Sequence, residues 1–165
     1  MDLLSNLPPR FHGILEEGAK GDASRVAFTD DHGVDWSYRR LIDAVELAAI
    51  EMGRLGIRPG DRVMIVCENS IAAIVLLYAS SRTDAWAVVT NARLSQHELD
   101  LIESDCKPRR IFYTHIASPE ADAHACRRDT DVESFAGIGE VKVGKLDEDS
   151  VPEKVHQDAS KQVAV

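Results

Sequence analysis

Apolar residues recur along this chain in two rhythms, one helical and one extended. Phe11, Ile14, Leu15 and Ala19 keep helical spacing until the glycines at 18 and 21 interrupt it. This predicts a short amphipathic helix after an irregular lead-in over residues 1–10. Val26 to Thr29 and Val34 to Trp36 flank the polar turn Asp30-Asp31-His32-Gly33 and predict a β-hairpin, with Gly33 supplying the positive φ that such a turn needs. Asp30 and Asp31 then serve as turn formers rather than as an acidic metal pocket. From Tyr38, the residues Leu41, Ile42, Val45, Ala48, Ala49, Met52 and Leu55 form one helical stripe. Ser37 caps that helix and Gly56 ends it.

After the Pro59-Gly60 turn the pattern changes. Residues 63–67 (VMIVC) are apolar without alternation, as expected of a strand covered on both faces of a parallel sheet. Residues 71–79 are apolar all round, predicting a helix contacted on several sides, and residues 86–89 form a second apolar run. Ser95-Gln96-His97-Glu98 is a capping box, with Leu94 and Leu99 as its hydrophobic staple, and predicts a helix over about 96–105. Strands are predicted at 110–113 and 140–143, and a helix start at Ser118-Pro119-Glu120. The order β-α-β-α-β-α-β predicts an α/β fold over residues 11–143: a mostly parallel sheet with helices on both faces, preceded by the hairpin. Residues 144–161 are polar and acidic, predicting a linker, and 162–165 turn apolar.

Composition narrows the functional classes. The 165 residues carry 19 basic and 28 acidic side chains, a net charge of -9, which disfavours a nucleic-acid partner. The longest uncharged stretch, residues 69–81, is too short for a transmembrane helix. Nor does the N-terminus have the basic start and apolar core of a secretory signal, so a cytoplasmic location is expected. Cys67, Cys106 and Cys126 are odd in number and widely spaced, which suits free thiols. His97-Glu98 lacks the second histidine of a zinc helix, because Leu101 stands there. His124 and Cys126 form only a weak pair, and no metal ligand is expected.

Ligands of open parallel sheets collect beyond the carboxyl ends of the strands. The candidates there are Glu68-Asn69-Ser70, Thr90-Asn91-Ala92-Arg93 and Thr114-His115. Asn69 and Asn91 fit turn and helix capping. Arg93 stands out, since an exposed arginine at a strand end suits bidentate phosphate contact. Lys107-Pro108-Arg109-Arg110 lies at the opposite edge and is expected to be a solvated turn.

The segments WSYRRL at 36–41, GIRPGDRVMIVCENS at 56–70, WAVVTNARLSQHEL at 86–99 and RIFYT at 110–114, in this order and spacing, resemble the N-terminal region of adenylate-forming ligases, in their acyl-CoA synthetase (AMP-binding) branch. The resemblance implies the N-terminal subdomain of that fold. For a complete enzyme it implies ATP-dependent activation of a fatty or aryl carboxylic acid to an acyl-adenylate, then transfer to the thiol of coenzyme A, with ATP, Mg2+ and CoA as cofactors. It further implies that the catalytic signatures come later: a phosphate loop closed by lysine, an acidic residue on the ribose and a C-terminal lysine. These 165 residues contain none of them. The expectations are therefore no catalytic residue here, no cofactor held by this chain alone and no ligase activity in isolation. Residues 158–165 resemble the strand that leads into the phosphate loop. One binding role is implied, contact of Arg93 in NARL with phosphates of CoA. Three positions depart from the pattern: Arg40 replaces a common glutamate, Thr83-Asp84 a glycine and Ala87 a frequent proline. The alternative is an α/β interaction or self-association module, a homodimer formed through the apolar helix around 71–79.

Overall fold

The computed structural model describes residues 8–30 and 32–157. The predicted terminal strand at 158–165, the lead-in before Pro8 and the turn residue Asp31 lie outside the described residues.

The first helix, α1 (Gly13–Ala19), is followed by the antiparallel hairpin β1 (Val26–Thr29) and β2 (Asp35–Ser37). Asp30 forms the turn as expected: one carboxylate oxygen accepts from the backbone N–H groups of His32 and Val34, at 3.0 and 2.9 Å. Ser37 then caps α2 (Tyr38–Arg54), accepting from Arg40 N. The Arg40 side chain turns back from the helix start, donating to Asp35 O and lying 3.7 Å over the Trp36 ring. The cation that departs from the usual glutamate is thus held on the hairpin. Past Leu55, Gly56 takes φ 88°, with Ile57 N bonded to Met52 O and Gly56 N to Gly53 O, the paired bonds of a Schellman stop.

Five strands form the main sheet, in the order β4-β3-β5-β7-β6. They are β3 (Arg62–Cys67), β4 (Trp86–Asn91), β5 (Arg110–Tyr113), β6 (Thr130–Phe135) and β7 (Gly139–Gly144), with α3 (Ile71–Arg82), α4 (Gln96–Cys106) and α5 (Pro119–Ala125) between them. Strands β4 and β5 flank β3 in parallel. The continuous apolar run of β3 is explained by its two covered faces. Val63, Ile65 and Cys67 join the core with α2 and α3, whereas Met64 and Val66 join a second cluster with Leu99, Ala121 and Ala125. Helices cover both faces, as predicted.

The far side of the sheet corrects the sequence reading. The strand predicted at 140–143 is present as β7, but it pairs antiparallel with β5. The cause is β6, which the hydrophobic pattern did not predict. It pairs antiparallel with β7 through a connection so short, with Phe135 opposite Gly139, that no crossover can intervene.

The second correction concerns residues 107–110. Arg109 is buried, with Nη1 donating to Asp147 O at 2.6 Å and Nε 3.7 Å from Asp61. Arg110 donates to Leu55 O and Gly144 O, both at 2.7 Å. Their guanidinium groups bind backbone carbonyls, among them Gly144 O at the end of β7 and Asp147 O beyond it, so the arginines are a fastening and only Lys107 stays exposed as a solvated turn. The fully buried Asp61 of the Pro59-Gly60 turn accepts from Arg58 N at 2.8 Å and from the Arg58 side chain. The chain beyond β7 crosses the amino ends of the strands, with Asp147 N on Arg109 O and Glu153 N on Gly60 O.

Candidate functional site

The carboxyl ends of β3 and β4 and the first turns of α3 enclose a cleft of about 810 Å³. Its floor is apolar, with Ala73, Ile74 and Leu77 from α3 and Val89 from β4; its rim carries Glu68, Asn69, Ser70, Asn91 and Arg93. Local rules put these groups there. Ser70 caps α3 by accepting from Ala73 N. Asn91 ends β4, and its Oδ1 accepts from Arg93 N at 2.9 Å, the turn-capping role expected of it. Ala92 is buried and donates to Cys67 O, so the turn is fastened to β3 while the Arg93 side chain projects outward, 73% exposed.

Arg93 Nε lies 2.6 Å from Glu68 Oε1. Among the described residues Glu68 is the one side chain paired with this guanidinium, so the donors at its far end are available to an anion. Hydrogen bonding from Ser118 and from Arg93 holds the Glu68 carboxyl below the ordinary carboxylate range. Glu68 is thus a carboxylate at neutral pH. Sequence reasoning placed Glu68 at a strand end but missed the pair, because its members are 25 residues apart and only the parallel register of β3 with β4 joins them.

The other candidates contribute less. Cys67 borders the cleft, but burial pushes its thiol up to about 11, which keeps it protonated and unsuited to nucleophilic attack. At the end of β5, Thr114 Oγ1 and His115 Nδ1 are buried without a hydrogen-bond partner. His97 is exposed on the first turn of α4. Among the described residues no three His, Cys, Asp or Glu side chains are grouped to hold a metal ion, and no helix is long and apolar enough to cross a membrane.

Comparison with known proteins places this arrangement. The family profile described as AMP-binding enzyme matches residues 15–164. The 2-succinylbenzoate–CoA ligase of Oceanobacillus iheyensis is 33% identical over 88 residues, covering 52% of this chain and 18% of the ligase. The long-chain-fatty-acid–CoA ligase FadD13 of Mycobacterium tuberculosis is 30% identical over 96 residues, covering 58% of this chain and 19% of the ligase. Among solved structures, ATP-bound MatB from Rhodopseudomonas palustris superposes with a TM-score of 0.58 at 26% identity, covering 62% of this chain and 20% of MatB. The chain spans no more than about a fifth of the length of each of these three proteins.

Proposed function

This chain belongs to the AMP-binding enzyme family, and on that premise we propose that it is the N-terminal part of an acyl-CoA ligase that activates a carboxylic acid with ATP and passes the acyl group to coenzyme A. What supports the reading is the family match over nearly the whole chain, joined to a cleft at the strand ends with a charged arginine on its rim. In the complete enzyme ATP, with Mg2+, would supply the adenylyl group that activates the acid, pyrophosphate leaving, and the acid is of the fatty or aryl class. Residues 11–143 serve as scaffold, and the segment from 144 onward leads toward the phosphate-binding machinery.

Arg93 is the residue assigned to CoA, through its phosphates. Its side chain fits that role: it is exposed, and Glu68 takes Nε and so leaves the bidentate end of the guanidinium outward. No catalytic residue is assigned within this chain. Catalysis requires groups positioned on both substrates, and the 165 residues contain no lysine-closed phosphate loop, so the chain alone forms no acyl-adenylate. An acid-dependent pyrophosphate-exchange assay on the isolated chain, run over a panel of fatty and aryl acids, is expected to give no exchange above background. Robust exchange overturns the assignment.

One observation favours a second reading, an α/β module that self-associates. The half-buried face of α3, with Ala73, Ile74 and Leu77, lies beside Val89 on the edge strand β4. Light scattering separates the two: a concentration-dependent dimer abolished by Leu77→Glu supports association through this face, and a monomer at high concentration removes it.

A further inference from the structure

We infer that His124 is the positioning residue of the Arg93 turn, holding that arginine in place for an anionic ligand; the inference rests on the role proposed above for Arg93. His124 stands in the last turn of α5 and is 7% exposed. Its Nε2 is 3.0 Å from Ala92 O and 3.1 Å from Leu94 O. Those two carbonyls belong to the residues immediately before and after Arg93. A single imidazole N–H directed between them holds the Ala92–Arg93 and Leu94–Ser95 peptide groups, one on either side of the arginine.

The other side of the ring faces α4. Nδ1 lies 3.2 Å from Gln96 Oε1, a neighbour in contact and not a donor to it, and the amide nitrogen of Gln96 donates to Asp100 Oδ1 at 2.7 Å. The imidazole is thus packed against α4 and bonded through Nε2 to the turn it supports. Asn91 Oδ1 holds Arg93 N, and Cys67 O holds Ala92 N, so the backbone at 92–94 is fixed from β3, β4 and α5 at once. A buried imidazole N–H is costly unless it is bonded, and here Nε2 is spent on the segment carrying the exposed arginine. Fixing the backbone beforehand lowers the ordering cost of gripping a phosphate.

The test is a double-mutant cycle on the 165-residue chain, with millimolar coenzyme A as the titrant and amide chemical shifts at residues 91–94 as the signal. The chain alone is expected to hold no cofactor tightly, and the arginine–phosphate contact then registers only as weak binding. Arg93→Ala is expected to weaken binding at least tenfold and His124→Leu at least threefold. With Arg93 already removed, His124→Leu is expected to have no further effect. His124→Gln, whose amide nitrogen reaches about as far as Nε2 and can donate to both carbonyls, should restore affinity. Hydrogen exchange gives an independent measure: in His124→Leu the Arg93 and Leu94 amides should exchange at least tenfold faster while the centre of β3 is unchanged. If leucine prevents folding, His124→Asn, too short to reach both carbonyls, takes its place.

Equal weakening in both backgrounds makes His124 a general structural residue and refutes the inference. Faster exchange at 93–94 with unaltered affinity refutes it as well, because the turn is then held for no ligand. If CoA causes no shift in the wild-type chain, or Arg93→Ala leaves affinity untouched, the role of Arg93 itself fails and the positioning role falls with it.

Discussion

Asp84 shows how one side chain can resist its own backbone. The residue sits at φ 55°, one place beyond the Thr83 cap of α3, where Ala85 N bonds Ser80 O and Asp84 N bonds Ser81 O. This is the same helix stop that Gly56 makes at the end of α2, built here with a residue that pays for the left-handed geometry. Arg10 Nε, 2.5 Å from Asp84 Oδ1, compensates part of that strain. Asp84→Gly is therefore expected to raise stability by about 1 kcal/mol in chemical denaturation, net of the lost ion pair; a loss of stability would show that the Arg10 contact dominates. Gly60 gives the opposite case. It has φ 85°, and a Cβ there would fall 2.0 Å from Glu153 O, a backbone atom. Gly60→Ala is expected to cost at least about 1–2 kcal/mol from the left-handed backbone alone. It should also free the segment after β7, detectable as faster proteolysis beyond Gly144. The strain at Asp84 was legible in the sequence as a missing glycine. The need for glycine at 60 in its second sense, close approach of a distant carbonyl, was not, because Glu153 lies 93 positions away.

At the scale of elements, what the sequence disclosed depends on where each element obtains its stability. Helix α4 is specified locally: Ser95 Oγ accepts from Glu98 N, and the Glu98 carboxylate accepts from Ser95 N, the reciprocal box that four consecutive residues announce. Ser95→Ala should therefore cost about 1 kcal/mol, measured as a shift in the denaturation midpoint. An effect below about 0.3 kcal/mol would mean that packing of Leu99 carries the helix instead. Strand β3 was equally plain, since both of its faces are apolar. Strand β6 was hidden because it lies at the edge of the sheet and is largely exposed, with charged side chains at Asp131 and Glu133. Those charges pair across to Lys145 and Arg54. They give the strand a polar surface that discourages edge-to-edge pairing and also erases its hydrophobic signature. The Arg109 fastening was hidden for a related reason. An arginine is buried only when acceptors meet it, and its acceptor Asp147 O comes from a segment with no regular structure. For the candidate site, the position of Arg93 could be inferred from its place after β4. Its partner Glu68 and the His124 beneath it could not, since both contacts depend on how the sheet and α5 assemble.

Over the whole molecule, the acidic excess is built into hydrogen bonds that set the response to pH. Several carboxyls are held below their ordinary range: Glu68 by Ser118 and then Arg93, Glu98 by the Ser95 cap, Asp122 by Lys142, and Asp30 by the Val34 N–H of the hairpin turn. In each case the folded pKa lies below the unfolded one, so between the two the unfolded chain binds more protons and folding is penalised. Their stabilisation is therefore complete above the ordinary carboxylate range, about pH 4, and is lost as the pH falls through the folded values. His12 adds a second step at higher pH. Burial, followed by the nearby Arg82, lowers its pKa, although its Nδ1 meets Ser81 Oγ at 3.0 Å. Its sign is the same: the unfolded imidazole takes up a proton first, so stability declines as the pH drops below about 6.5. Thermal melts at constant ionic strength should thus show a shallow decrease in Tm from about pH 7 to 5 and a steeper one below about pH 4. His12→Gln should remove the first step and leave the second. Relief of self-repulsion opposes only the first step, because the chain of net charge -9 approaches neutrality near pH 5.1; below that it gains positive charge, and repulsion adds to the second step. A Tm that holds level or rises from pH 5 to 3 would mean that the local bonds add nothing measurable over that range. The hydrogen-bonded carboxylates, Glu68 at the cleft included, would then be incidental to the stability of the fold.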